Sequence, residues 1–175
     1  MTSSEGRRPP FAAIGAIIGL TGGLAFALVN AGAFGEPWAW LIRGVAIALA
    51  IVVLVLGRRV PPPMPEPHRH AGPGYLASVL IMVVAIVAGG QWLGAQGRTD
   101  IQPAWVALVV GAHFLPFAWL FRLGFFLPLA VGMIIIAAVG MITGAGAAAA
   151  ALVGVWMLGW QAGHLAYRLR TAAAR

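Results

Sequence analysis

Two groups of side chains in this 175-residue chain carry polar chemistry inside long apolar runs. The first is His113, in the string Gly111-Ala112-His113-Phe114-Leu115-Pro116-Phe117-Ala118-Trp119-Leu120-Phe121-Arg122. A neutral imidazole offers one hydrogen-bond donor and one acceptor. Pro116 lacks the N–H that would engage the carbonyl of Ala112, so a kink and a free acceptor are expected beside the ring. His113 is therefore a candidate ligand-binding residue. The competing expectation is that it bonds a neighbouring backbone and fixes helix packing. The second group is Gln161, His164 and Arg168, spaced three and four apart with Trp160 alongside. On a helix they descend one face. With Arg122 adding a second guanidinium, they are candidates to receive an anionic lipid headgroup or a small anionic solute. Against this, Arg168 would snorkel to an interface and Gln161 would bond another helix.

What is missing narrows the chemistry. The chain has no cysteine and all eleven of its basic residues are arginine, which removes thiol nucleophiles, disulfides, thiolate metal sites and Schiff-base lysines. The four acidic residues, Glu5, Glu36, Glu66 and Asp100, all fall outside the apolar runs, so no intramembrane carboxylate is available to relay protons or hold a cation. Ser78 is the one serine within a run, and a Ser-His-Asp set would lack its aspartate. Glycines lie in apolar helices with no lysine after them, unlike a phosphate-cradling loop. No catalytic residue and no cofactor are assigned. A bis-histidine haem would need His113 and His164 at one depth. They lie nine and four residues from Arg122 and Arg168, an offset of roughly 7 Å at about 1.5 Å per residue. His68 and His70 flank Arg69 but lack a third ligand beyond Glu66, so no metal is expected there.

The elements that must position these groups are membrane helices. Apolar residues make up 61% of the chain and charged ones 9%, too few for the surface of a water-soluble domain. The runs cover roughly 120 positions, enough for six crossings at about 20 residues each. The expected fold is all-α, a polytopic membrane helix bundle of six transmembrane helices in one integral domain over 1–175. The spans fall near 11–31, 38–56, 75–95, 104–121, 125–143 and 147–167. The length of the first run and the five that follow it favour an uncleaved helix over a signal peptide, despite the small residues at 30–33. Pro61, Pro62, Pro63, Pro65, Pro67 and Pro73 make 57–74 a non-helical, extended loop.

Arg7, Arg8, Arg58, Arg59, Arg69, Arg122, Arg168, Arg170 and Arg175 fall on one side of the membrane in this arrangement, and only Arg43 and Arg98 on the other. The positive-inside rule then makes both termini and the Pro-rich loop cytoplasmic. Trp38, Trp40, Trp92 and Trp105 mark the outer interface, and Arg43 snorkels toward it with Glu36 within reach. Helices cannot associate by hydrophobic burial in lipid, so small residues four apart matter: Gly15, Gly19 and Gly23; Ala85 and Gly89; Gly140 and Gly144; Gly159 and Gly163. Such stripes serve packing within the chain, a homo-oligomer or a partner helix. Gly111-Ala112-His113 and Ala162-Gly163-His164 hint at tandem hairpins but are too short to establish a repeat.

The basic balance is explained by topology, so no nucleic acid is expected as a partner. The leading functional expectation is a non-enzymatic bacterial plasma-membrane component that binds lipid or a partner helix. The alternatives are a small permease-like carrier with its site near His113, and a haem-binding or membrane-embedded redox protein.

Overall fold

A computed structural model describes residues 10–60 and 67–174, with the side chains of the first helix from Ile17 onward. Six α-helices follow in order: α1 (Pro10–Asn30), α2 (Trp38–Arg59), α3 (Ala71–Ala95), α4 (Gln102–Leu120), α5 (Phe126–Thr143) and α6 (Gly146–Ala173). Short 3-10 turns at Ala31–Phe34 and Thr99–Ile101 join α1 to α2 and α3 to α4. No strand occurs among the described residues. Each helix is long and apolar enough to cross a membrane. The faces of α2 and α3 expose Ile47, Ile51, Leu54, Leu80, Ile81 and Val84, an apolar surface that water would not tolerate and lipid tails solvate. The chain is a multi-pass membrane helix bundle.

The spans follow the apolar runs closely, with differences at the polar ends. α2 continues through Gly57 to Arg59, and α6 runs on to Ala173. α3 begins at Ala71, four residues before the expected start, and carries Pro73 in its first turn. There the N–H groups have no partner within the helix, so a proline removes nothing. Ala71–Gly74 are thus helical, a correction to the extended loop expected over 57–74. Positions 61–66 of that loop, together with Glu5, Arg7, Arg8, Arg175 and the surroundings of Gly15, lie outside the described residues.

α6 is the hub. It packs against α1, α2, α4 and α5, while α3 leans chiefly on α4 and stands at the edge. Half of the apolar window of α6 is buried, against 6% of that of α3. The sequence of α6 explains its place. Ala149, Ala150, Val153, Gly154, Leu158 and Ala162 are buried on it, and side chains this small let neighbouring backbones close in from several directions. At Gly154 an added Cβ would come 2.5 Å from the Gly23 carbonyl oxygen and 2.9 Å from Ala27 Cβ on α1. At Gly23 it would come 2.9 Å from Leu158 Cγ. At Gly19 and Gly23 the α1 stripe is therefore filled by the chain's own α6. On the other side Gly140 receives Ala149, and Gly111 of α4 receives Met133 of α5. Gly144 ends α5 with φ 73, the left-handed conformation that lets the chain reverse into α6.

Two ends of the bundle differ in charge. At one lie Arg58, Arg59, Arg69, Arg122, Arg168 and Arg170; at the other lie Glu36, Arg43, Arg98 and Asp100. The second end is stitched by the Thr99–Ile101 turn, whose Asp100 and Ile101 backbone lies directly against Gly146. Arg43 places its guanidinium 5.0 Å from the centre of the Trp40 ring.

Because the atoms facing Gly154 are backbone, they cannot step aside. Gly154→Ala is expected to lower stability by about 1–3 kcal/mol, as overpacking does. Gly163→Ala, whose Cβ would meet nothing within 4 Å, is expected to be near neutral. Unfolding in mixed micelles followed by circular dichroism compares the two.

Candidate functional site

The deepest ionisable side chain, His113, sits where α4 meets α3. Its Nδ1 lies 2.7 Å from Ser78 Oγ, and the same hydroxyl stands 3.3 Å from the His113 carbonyl oxygen. Both contacts hold together when Nδ1–H donates to Oγ and the hydroxyl donates to the carbonyl, which leaves Nε2 as the ring's free acceptor. In the other tautomer Ser78 donates to Nδ1. Either way the imidazole is fixed by the one serine within a span. The edge of the ring meets Phe117, 4.5 Å between centroids. α4 passes through Pro116 as one continuous helix, and the carbonyl that Ser78 engages is that of His113, not of Ala112.

This contact is one of a series along the α3–α4 seam. Gln102 Nε2 donates to Gly90 O at 2.9 Å, Trp105 Nε1 donates to Ala85 O at 3.1 Å, and His68 N donates to Leu120 O at 2.9 Å. The Trp105 ring lies over Gly89, where any Cβ would collide with it. The α5–α6 seam repeats the device: Trp156 Nε1 donates to Leu129 O at 3.1 Å with its ring over Gly132, and Trp160 Nε1 donates to Phe125 O at 3.0 Å. In hydrocarbon an unpaired donor is costly, so each indole N–H needs a carbonyl on the next helix. Helix carbonyls can accept a second bond.

The predicted descent of Gln161, His164 and Arg168 divides. Gln161 is buried, 9% exposed, with its amide packed toward Gly19 of α1. His164 turns toward α5, its ring 4.9 Å from that of Phe125. With Trp160, Gly163 and Tyr167 it lines an open concavity of about 280 Å³. Arg168 follows one turn later, half-buried. Arg122 is exposed in the α4–α5 turn, three residues before Phe125, with φ 53. That is a left-handed conformation uncommon outside glycine. The structure thus gathers Trp160, His164 and Tyr167 around the concavity, with Arg168 beyond it, and sends Gln161 elsewhere.

His113 and His164 are not brought together. Ring contacts run from His164 to Phe125, Phe126 and Phe117 before reaching His113. These phenyl rings belong to an aromatic cluster joined by Phe114, Phe121 and Tyr75. At the Arg-rich end the His68 ring lies 4.4 Å from that of Trp119, and His70 Nε2 accepts from Arg69 Nε at 2.9 Å. No group of three or more metal-ligating side chains occurs among the described residues.

Sequence reasoning passed over Ser78 because it looked for a catalytic set. The antiparallel α3–α4 hairpin gave the two helices as neighbours, but Ser78 lies further from the turn than His113 does, so counting outward from it does not pair them. Trp105 was read as an interfacial marker and Trp156 was passed over, and neither was seen as a donor to a neighbouring helix. No protein-family model matches the chain, nor does any curated protein or solved structure match it.

Ser78→Ala and His113→Phe are each expected to weaken the α3–α4 seam. A double-mutant cycle read by unfolding in mixed micelles should return a coupling of about 0.6 kcal/mol, the average for hydrogen bonds between membrane helices, and no more than about 1.7.

Proposed function

We propose that this protein is a non-enzymatic, multi-pass component of a bacterial plasma membrane that binds lipid or a partner helix. The observation that carries the reading is the division of its polar groups. Those at membrane depth, His113, Ser78, Trp105 and Trp156, are engaged in bonds between helices, whereas the open, largely apolar concavity that His164 borders lies near the Arg-rich end of α6. A carrier site at His113 would have only the Nε2 edge of the imidazole to offer, because Ser78 holds Nδ1. The excess of arginine at one end supports a cytoplasmic placement of that end, and with it of both termini and the segment between α2 and α3. The Ala, Gly and Arg bias supports a bacterial host.

Native mass spectrometry of the full chain from mild detergent tests the functional reading. Retained lipid or an added subunit is expected, and unchanged in His113→Phe. Solute flux into proteoliposomes that His113→Phe abolishes would overturn it. Reporter fusions test orientation: the segment between α2 and α3 and the carboxyl tail should report the same, cytoplasmic face, and opposite faces would refute the topology.

A further inference from the structure

Among the glycine stripes singled out in the sequence, one is left uncovered. Gly19 and Gly23 are filled by α6, Gly89 by Trp105, and Gly140 by Ala149. Gly159, by contrast, reaches only Leu49 Cδ1 at 4.0 Å, and Gly163 meets nothing within 4 Å. α6 is flanked by the α1–α2 pair and the α4–α5 pair, and its open face carries Gly163 as the floor of the concavity. Trp160 forms one wall, locked by its bond to Phe125 O, and Tyr167 stands at the far end. The floor between them spans seven residues, about 10 Å of helix. At about 280 Å³ the space sits near the lower edge of the roughly 300–1,000 Å³ that small-molecule clefts span, a size for a chain segment.

Charge lies beyond the lining residues, along α6 and in the turn before α5. Arg168 lies one turn beyond His164, Arg170 is exposed next to it, and Arg122 sits in the turn that carries Phe125. The described carboxylates, Glu36 and Asp100, belong to the opposite end of the bundle. A guanidinium pairs well with phosphate oxygens, and His164 adds a ring nitrogen between Arg168 and the floor. A headgroup carrying its own cation would be repelled by the same arginines.

We infer that this groove is a binding site for an anionic phospholipid, with an acyl chain on Gly163 between Trp160 and Tyr167 and the phosphate at His164 and Arg168. The inference rests on the lipid-binding reading above and names the class of lipid. The test is native mass spectrometry of the full chain released from bilayers of equimolar phosphatidylglycerol and phosphatidylcholine. Phosphatidylglycerol should be retained over phosphatidylcholine by about fivefold for each guanidinium engaged. Arg168→Gln should cut that preference about fivefold with unfolding unchanged. Gly163→Leu, whose side chain enters open space, should remove the retained lipid of both kinds. Equal retention of the two lipids, or a preference that survives Arg168→Gln, overturns the anionic assignment and leaves lipid binding standing. Retention that survives Gly163→Leu overturns the location. A second copy of the chain retained in place of lipid, and released by Gly163→Leu, assigns the groove to self-association and overturns the inference. No lipid and no added subunit on the wild-type chain defeats the broader reading together with it.

Discussion

The contact between the backbones of α6 and α1 at Gly154, Gly23 and Ala27 sets the terms for the rest of the bundle. In hydrocarbon there is no gain from hiding one apolar side chain against another, because lipid tails solvate both equally well. Helices adhere when they come close enough for many atom pairs to reach van der Waals distance, and a Cβ on either side prevents it. Gly154 has neighbours so near that no side chain fits, and the alanines before it keep the first turns of α6 narrow. A helix this thin can be surrounded by four others. A helix as broad as α3, with Leu76, Leu80 and Ile81 projecting, finds its place at the edge and faces lipid.

Where close packing is weaker, hydrogen bonds take over. α3 packs chiefly on α4, and theirs is the seam with the most polar contacts: Gln102, Trp105 and the Ser78–His113 pair each cross it. α1, which lies on α6 through glycine, has no side-chain bond to it among the described residues; Thr21 and Asn30 bond carbonyls within α1 itself. The distribution follows from the cost of an unpaired polar group in lipid, which makes a crossing bond hard to break once formed. It gives His113 an adhesive role that needs no ligand.

Much of this was legible in the sequence, and the reason is physical. Hydrocarbon demands about 20 apolar residues in a row and forbids unpaired backbone, so runs such as Trp38–Leu56 and Phe125–Thr143 announce helices with little room for error. The ends were less legible, because there water and headgroups relax the demand. Hence α2 and α6 run on past their apolar stretches, and Pro73 opens α3 where proline density had suggested an extended chain. The site was legible as a set of residues and not as an arrangement. Spacing placed Gln161 and His164 on one helical face, yet a face about 60° wide covers two neighbours, α1 for one residue and α5 for the other. Which residue turns to which neighbour depends on the order of helices around α6, and no periodicity within α6 encodes that order.

The same distinction bears on the apparent repeat. Gly111-Ala112-His113 and Ala162-Gly163-His164 read alike, but Gly111 lies under Met133 of α5 while Gly163 lies open, and the two histidines meet different partners. The likeness that the fold does hold is elsewhere. Trp105 covers Gly89 and bonds the carbonyl of Ala85, four residues before it; Trp156 covers Gly132 and bonds that of Leu129, three before it. In each case the glycine removes the Cβ that would hold the indole off, so the ring lies flat on the backbone and its N–H reaches a carbonyl about one turn away. A tryptophan that packs against the middle of the earlier helix in this way has a glycine beneath it, whereas Trp160, which bonds Phe125 O at the very start of α5, does without one. The tryptophan–glycine pairing joins residues 16 and 24 positions apart, too distant for a tripeptide match to reveal. It is a constraint of geometry shared by the α3–α4 and α5–α6 hairpins, and it accounts for why tryptophans sit inside these seams as well as at the interfaces where their amphipathic rings are usually placed.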